Sequence, residues 1–552
     1  MNKRRILAII VILCLAVSLV AGCGDKGATN SGGPSSAPSA APSSSAPSQA
    51  PSTAPSAVPM PSAVPAPENV EFAEHLVFVG TSAERIVSID TTNPITSAIG
   101  SNLAMTMIYD KLVEIMPEGD LIPELAKSWD ISDDYRVFTF HLRDDAYFHN
   151  GEKFTADDVA FTIERSQTAP GTQAFDRYGN IEKCDIINDY EIVITLKASD
   201  VDFIYNITWP ACGIQNRKAI TDDPVEGHYI GTGKYKVKEL VSDDYLALER
   251  FEDYWKGPMP TKFVTFRAIA EDTARFIMLE NGEANLLWSM TPIYVAEIEK
   301  NPDLDYLSFT LGNAMHIGFN MNHPILGDVN FRRAVAHAVN RQEMVAVARE
   351  GYATIPANPV TWGYLTEFRN EDVTFYEYDL DKARELLAMT AYKGEPIDII
   401  ASNPYSQGTM QVAVANLAEI GINLAARNTD TPGLNAGTEW GNQDFRMYVH
   451  AAEFQAWASS ARVNYYPGVL GNRSQYNNPE VTALLDEAMG TFNDAAREAI
   501  YRRVQEIIAD DCPYVTIYHH EMLCGTTAGL GGIIPSPSTP FTDFSEMYLP
   551  LN

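Results

Sequence analysis

One segment near the N-terminus cannot build a packed core, and it sets where the folded part of this chain begins. Residues 24–67 are mostly Ser, Pro, Ala and Gly, and they contain no aromatic side chain. Such a composition buries too little apolar surface to offset the conformational entropy of the chain. We therefore predict a disordered tether over residues 23–68 and a folded part over residues 69–552.

The first 22 residues have the pattern of a cleaved export signal. Lys3, Arg4 and Arg5 precede an uncharged apolar run of 15 residues, whereas a membrane-spanning helix needs about 20. The run ends in V-A-G-C at Cys23, which resembles the bacterial lipobox, where the Cys is acylated and the peptide is cut just before it. We predict a signal peptide over residues 1–22 and a lipid such as palmitate on Cys23, with an ordinary secretory signal as the alternative.

This arrangement predicts a protein anchored by lipid to the outer face of the cell membrane. Pro-rich chain extends at roughly 3.1 Å per residue, so the tether can hold the folded part tens of Å from the membrane. Such a long tether favours a Gram-positive cell surface over a periplasm.

Size and charge limit the organisation and the partners of the folded part. Residues 69–552 are too many for one core, and we expect two or three packed units in a monomer. The formal net charge is −32, and it becomes −35 when the three basic residues of the signal are removed. A charge of this sign disfavours binding to nucleic acid or to an anionic surface, and solubility explains it more simply than an acidic site does.

Four cysteines remain after the signal and the lipidated residue are set aside. They are Cys184, Cys212, Cys512 and Cys524. An exported chain permits disulfides, and Cys512 and Cys524 are the nearest pair in sequence. One or two disulfides and buried free thiols are both compatible with this spacing.

Strand and helix patterns alternate along the folded part. Residues 136–143 alternate apolar and polar, which predicts a half-buried strand, and residues 190–196 repeat the pattern. Thr155 with Asp158 predicts a capping box at the start of a helix, and residues 234–251 predict a hairpin turning at 242–244. Later segments have helical spacing at 331–350, 380–389, 411–419, 479–489 and 495–510. The class is mixed α/β.

Several blocks carry a resemblance to a known family. Residues 121–159 begin L-I-P-E-L-A-K-S-W-D and end F-H-N-G-E-K-F-T-A-D-D-V, and G-T-G-K-Y follows at 231–235. D-Y-W-K-G at 253–257, D-V-N-F-R-R-A-V-A-H-A-V-N at 328–340 and the D-x-x-K-A-x-x-L-L helix at 379–387 continue the order. Together they resemble the family 5 extracellular solute-binding proteins, the peptide- and nickel-binding receptors of ABC importers.

The resemblance implies a two-lobed periplasmic-binding-protein-like fold of type II, in its enlarged peptide-binding class. A hinge would join the lobes, and the ligand would lie in the cleft between them. The large lobe would comprise residues 69–288 and the return segment 520–552. The small lobe would comprise residues 289–519.

The resemblance also implies a binding site. In peptide-binding members an acidic residue three positions after a Trp pairs with the α-ammonium group of the ligand. Here His450 stands at the Trp position and Glu453 at the acidic position, and a desolvated ammonium requires such a partner. Candidate apolar walls are Trp457, Trp440, Trp362 and Trp288, because solute pockets are largely aromatic with a few polar anchors.

No catalytic constellation stands out in the sequence. Residues 520–524 read H-E-M-L-C, which lacks the second His of a zinc protease motif. We expect His519 and His520 to lie at the end of a strand, and a metal-binding pair is the alternative. We predict no enzyme activity and no cofactor. The expected function is the capture of short peptides for the permease subunits of an ABC importer. The alternatives are a nickel chelate, an opine or an oligosaccharide as solute, or a surface lipoprotein that senses or adheres.

Overall fold

The computed structural model describes residues 70–81, 84–93, 99–117, 119–358, 368–370, 372–373, 375–452, 461–469, 471–536 and 542–551. All of these residues belong to the unit Ala54–Asn552. The predicted signal peptide, Cys23 and all of the tether lie outside the described residues. Among the helices within these ranges, none combines the length and apolarity that a membrane span requires.

Extended segments form the frame of the described chain. The strands are, in chain order, β1 His75–Gly80, β2 Val113–Ile115, β3 Leu121–Pro123, β4 Ala126–Ile131, β5 Val137–Leu142, β6 Ile181–Asn188, β7 Glu191–Leu196, β8 Tyr235–Val241, β9 Tyr245–Arg250, β10 Phe263–Ala268, β11 Leu286–Leu287, β12 Leu304–Phe319, β13 Ala353–Thr354, β14 Ile397–Ala401, β15 Leu424–Asn428, β16 Met447–Ala452 and β17 Tyr514–Thr527.

Helices fill the connections between these strands. They are α1 Ile99–Ile108, α2 Ala156–Gln167, α3 Gln173–Tyr178, α4 Phe203–Asn206, α5 Arg217–Asp222, α6 Asp272–Glu280, α7 Val295–Ile298, α8 Val329–Ala338, α9 Arg341–Arg349, α10 Leu380–Ala388, α11 Pro404–Ala418, α12 Thr431–Gly437, α13 Ala461–Tyr465, α14 Pro479–Met489 and α15 Asp494–Asp511. The mixed α/β class predicted from the sequence is confirmed.

One large mixed sheet runs through the fold. Its strands lie in the order β15-β14-β16-β12-β17-β11-β1-β10-β9-β8, and β13 pairs with β17 beside this path. A separate antiparallel sheet has the order β4-β5-β7-β6, and β2 pairs with β3.

The two longest strands, β12 and β17, connect two hydrophobic cores. They pair antiparallel from Leu304 opposite Thr527 to Gly318 opposite Tyr514, with register shifts near the middle. Phe309 of β12 and Met522 of β17 pack in the first core, which also holds the sheet β4-β5-β7-β6. Met315 of β12 and Tyr518 of β17 pack in the second core, with β14, β16, α8 and α11. The cores therefore meet at residues 312–314 of β12 and 519–521 of β17, a region we call the crossing.

Local patterns predicted several elements correctly. In β5 the residues Phe138, Phe140 and Leu142 are buried and their neighbours are half-buried, as period two requires. Helix α2 begins after Thr155, whose backbone N–H donates to the Asp158 carboxylate at 3.1 Å. The hairpin of β8 and β9 turns at residues 242–244 as predicted.

The helical segment predicted over residues 331–350 is in fact two helices. Helix α8 ends at Ala338, and α9 begins at Arg341 after Asn340, whose side chain accepts a hydrogen bond from the backbone of Glu343 at 3.1 Å. Helix α8 ends because Val339 and Asn340 have extended backbones, with ψ 121° and 96°, and an N-cap residue such as Asn340 is not itself helical. Helix α11 also begins earlier than predicted, at Pro404 after the capping residue Asn403.

The predicted disulfide between Cys512 and Cys524 is wrong. All four described cysteines are free, and Cys512 lies in the second core whereas Cys524 lies in the first. Ten residues of β17 separate Tyr514 from Cys524, which corresponds to about 33 Å along an extended strand. A disulfide needs Cα atoms within roughly 7 Å.

The buried His149 makes the stability of this fold depend on pH. Gly231 N–H donates to its Nδ1 at 3.3 Å, and its Nε2 donates to the carbonyl of Gly233 at 2.9 Å, so the neutral ring satisfies both partners. Burial lowers the pKa of His149 to about 4, against 6.5 in an unfolded chain. Because the folded pKa is the lower one, this contribution to stability is complete above pH 6.5 and is lost as the pH falls towards 4.

We therefore expect that, as the pH is lowered from 8 to 5, the free energy of unfolding decreases more steeply in the wild type than in His149→Gln. The variant should be less stable at pH 8, and the gap should narrow by up to about 2 kcal/mol at pH 5. Urea unfolding at pH 8, 6.5 and 5 measures this, with the exposed His75→Gln as control. A constant gap across the three pH values would contradict the assignment.

Candidate functional site

The crossing carries polar side chains from β12, β13, β17 and α9. The carboxylate of Glu521 accepts hydrogen bonds from Ser308 at 2.8 Å and from Thr354 at 3.1 Å. Arg349 donates to the backbone carbonyl of Glu521 at 2.9 Å. These bonds hold β13 and α9 to the middle of β17.

Other polar atoms at and beside the crossing have no partner within the described chain. They are Oδ1 of Asn313, Nε2 of His316, Nδ1 of His450 and Nε2 of His520, and each is shielded from solvent. A buried polar atom without a hydrogen bond costs roughly 1–3 kcal/mol, and native proteins hold few of them. Such atoms also occur elsewhere in the described chain, for example Nε1 of Trp288, but these four lie together on the neighbouring strands β16, β12 and β17, which favours a role in binding.

His316 and His450 face each other across neighbouring strands. They are directly opposed on β12 and β16, with ring centroids 6.2 Å apart at 90°. The ring of Tyr514 lies 4.6 Å from that of His316, and the ring of Tyr448 lies 5.8 Å from it. Tyr448 comes this close because it lies over Gly318, where any Cβ would overlap the tyrosine ring.

Both histidines are neutral at physiological pH. Burial, followed by the charge of Arg473, lowers the pKa of His316 to about 3. Burial, then Arg473, His316 and His520, holds the pKa of His450 well below its usual value. A neutral imidazole offers one donor and one acceptor, so each ring can bond to a solute without carrying charge.

The segment that carries Arg473 is held rigidly beside these rings. Arg473 donates to Oγ1 of Thr438 at 2.9 Å. The hydroxyl of Ser474 donates to the carbonyl of Pro513 at 3.0 Å and lies 3.2 Å from the hydroxyl of Tyr448. Gln475 accepts from the backbone of Gly441 at 2.6 Å. The half-buried Trp440 lies in the turn that Gln475 holds, so it stays a candidate wall.

The structure corrects two other expectations. Trp288 is fully buried, and its ring packs against Phe78, Phe309 and Phe544, so it belongs to the first core and lines no open wall. His519 and His520 are successive residues of β17, where side chains alternate between faces, so they cannot jointly hold one metal ion. Within the described ranges, no group of three metal-ligating side chains occurs.

Among the residues predicted for the site, His450 lies on β16 opposite His316. Glu453, Trp457 and Trp362 lie outside the described residues. His316 and Arg473 were missed, because only strand pairing and a loop far along the chain bring them beside His450. The segment from His520 to Cys524 lies in β17, and a strand cannot present the ligands of a helical zinc motif.

Two long strands that join two α/β cores, with polar groups at their crossing, define a two-lobed binding protein. Solved structures support the fold. The ABC transporter substrate-binding protein CtaP from Listeria monocytogenes superposes with a TM-score of 0.76 at 24% identity, covering 87% of this chain and all of that chain. The predicted fold class is confirmed.

Sequence comparison agrees with the fold. Heme-binding protein A from Haemophilus influenzae is 26% identical, covering 79% of this chain and 86% of that protein. The glutathione-binding protein GsiB from Escherichia coli O1:K1 is 27% identical, covering 85% of this chain and 93% of that protein.

The family model of the bacterial extracellular solute-binding proteins, family 5 (middle region) matches residues 120–475. This chain belongs to that family. Its members are transport binding proteins and not enzymes, and its relatives are substrate-binding proteins of ABC importers.

We expect His316→Phe to change the stability of the free protein little. The phenyl ring keeps the contacts with Tyr514 and Tyr448. It removes the unpartnered Nε2, which is favourable, and the hydrogen bond of the ring to the Ala314 backbone, which is unfavourable, so the two effects oppose each other. Thermal melting measures this, with His316→Ala as the control that removes the ring contacts as well. A loss of several degrees in His316→Phe would mean that the fold itself needs a ring nitrogen of His316.

Proposed function

We propose that the protein captures short peptides between two lobes and delivers them to the membrane permease of an ABC importer. The observation that carries the proposal is the group of shielded, unpartnered polar atoms at and beside the crossing, which includes atoms of His316 and His450. A peptide offers N–H and C=O groups along its whole length, and it can satisfy such atoms without a charged partner at each.

The lobes of this proposal follow the two cores. Packing supports a first crossover between Leu311 and Met315 on β12, since Leu311 packs in the first core and Met315 in the second. The sequence prediction put that boundary at residue 289. On β17 the packing supports a second crossover between Tyr518, which packs in the second core, and Met522, which packs in the first. The sequence prediction put that boundary at residue 520.

The two lobes also touch away from the crossing. Tyr135, in the turn between β4 and β5, stacks on Phe492, in the connection between α14 and α15, with ring centroids 5.2 Å apart and planes at 18°. In this proposal the ligand cleft would lie between the crossing and this ring pair. Closure of this kind is what a permease can recognise as the loaded state.

Peptide is favoured as the solute by the glutathione-binding relative, since glutathione is itself a tripeptide. The heme-binding relative of similar identity makes heme the principal alternative to test. Glu453 would pair with the α-ammonium group of the peptide, as the family resemblance implies.

Attachment to the membrane completes the proposal. A lipid on Cys23 and the Ser/Pro/Ala tether would hold the folded part near its permease, on the outer face of the membrane. A freely diffusing receptor would be lost from a cell that has no outer membrane, so the anchor suits a Gram-positive surface.

Melting of the purified protein with a panel of solutes tests the function. The panel comprises di- to hexapeptides, glutathione, heme, nickel chelates, opines and oligosaccharides. A ligand at 100 times its Kd adds about 2.7 kcal/mol to native stability. We expect stabilisation by peptides, and a smaller shift in Glu453→Ala because an ammonium group then lacks its partner.

The matched control is Glu419→Ala, which removes an exposed carboxylate at the end of α11. It should leave the peptide shift unchanged. Stabilisation by heme or another solute and by no peptide would reject peptide as the solute and would remove the proposed role of Glu453.

A further inference from the structure

The stacked rings of Tyr135 and Phe492 belong to neither of the two cores that the long strands connect. Both rings are half-buried, and neither packs with the residues of the first or the second core. Their centroids are 5.2 Å apart and their planes are nearly parallel, at 18°. The rings can therefore separate without disturbing the packing of either core.

The first core holds Tyr135 and two carboxylates on one face. Tyr135 has a left-handed backbone, with φ 51°, and its carbonyl accepts a hydrogen bond from the N–H of Asp200 at 3.1 Å. Asp200 and Asp202 lie in the turn that leads into α4. The next residue, Phe203, is buried in the first core, with its ring 4.8 Å from that of Phe138. The tyrosine ring and the two acidic residues are thus fixed to the same body.

The opposite face is held by helices α13, α14 and α15, which pack around a hydrophobic cluster of their own. Phe492 lies just before α15, and Tyr501 lies within that helix, with its ring 5.7 Å from that of Phe368. The end of α15 is tied to the second core, because Arg332 of α8 donates to the carbonyl of Asp511 at 3.0 Å. Phe492 and Tyr501 are therefore fixed to the second body.

Opposite charges meet where these faces touch. Tyr501 and Asp202 are both buried. Burial is the main cause that raises the pKa of Tyr501, and Asp202 raises it further. Arg497 and Arg462 lower this pKa, and Asp200 raises it. Two carboxylates of the first body and two guanidinium groups of the second therefore surround one tyrosine, and such complementary charges favour contact between the bodies.

The ion pairs that the arginines make within their own body leave them able to act across this contact. Arg497 donates to Asp494 at 3.0 Å, and Arg462 donates to Asp486 at 2.7 Å. Both of these carboxylates are exposed, and water screens such pairs. The Arg497 side chain is only 11% exposed, and its Nη1 is shielded from solvent with no hydrogen-bond partner in the described chain.

We propose that Tyr135 and Asp202 on one lobe, with Phe492, Arg497 and Tyr501 on the other, form a latch that holds the lobes closed before a solute binds. The inference rests on the proposed function, because it assigns the two bodies as lobes that close around a solute. A solute that contacts both lobes binds in proportion to the fraction of molecules that are closed. The latch therefore raises affinity without touching the solute.

Hydrogen exchange of the intact protein without solute tests the latch. Tyr135→Ala should speed the exchange of amides 491–497 in the other lobe by about 2- to 12-fold, the range that an aromatic pair contributes. Phe492→Ala should do the same for amides 133–137. The control is Tyr147→Ala, which removes an exposed ring from the same lobe as Tyr135 and should leave amides 491–497 unchanged. Unchanged exchange in the opposite lobe in either latch variant overturns the proposal.

Isothermal titration with trialanine tests whether the latch acts on binding. Tyr135→Ala and Phe492→Ala should each weaken binding by about 2- to 12-fold, and the double variant should be no weaker than the single ones, since one contact is lost in all three. Asp202→Asn, which removes the charge and keeps the shape, should also weaken binding. Tyr147→Ala should bind as the wild type does. Wild-type affinity in both single ring variants would reject the latch.

The two measurements separate failure of the latch from failure of peptide transport. If trialanine and the other peptides of the panel do not bind the wild type, the peptide proposal fails. The exchange experiment needs no solute, and it then decides the latch by itself.

Discussion

The pairing of β12 with β17 is the constraint on which the rest of the structure depends. Each strand is long enough to leave one hydrophobic core and enter the other, and the two remain hydrogen-bonded along nearly their whole length. Because the sheet is continuous through them, these strands join the two cores. The register shifts near Thr310 and Met315 fall at that place, and such irregularities locally increase twist and redirect side chains. Polar groups collect where the cores separate, since no apolar surface is available there to bury.

Buried charge is treated differently in the two parts of the molecule. In the first core, Lys111 pairs with Glu114 at 2.7 Å and with Glu124 at 3.5 Å, and Lys234 pairs with Asp543 at 2.6 Å. Each of these charges is balanced by the chain itself, as a structural role requires. Beside the second core, the buried Arg332 and Arg341 instead donate to backbone carbonyls, and neither forms an ion pair within the described ranges.

Local sequence signals predicted local structure well. The alternation in β5 and the capping box of α2 each depend on residues within a few positions of one another, so they could be recognised without the fold. The prediction of one continuous helix over residues 331–350 was wrong because hydrophobic spacing persists across the break between α8 and α9. Only the cap at Asn340 marks that break. The disulfide between Cys512 and Cys524 failed for a related reason: nearness in sequence was taken for nearness in space, whereas an extended strand separates the two thiols.

The sequence by itself determined the export signal pattern, the tether composition, the mixed α/β class and the family, because motifs and periodicity record short-range constraints and common descent. It also predicted a binding role for His450, through its position in a family motif. Only the tertiary structure decided that His316 lies opposite His450, that Arg473 lies beside both, and that Trp288 belongs to the core. His316 is more than a hundred positions from His450, and the pairing of β12 with β16 brings these two residues together. Long-range register follows from the packing of whole strands, and no local pattern encodes it.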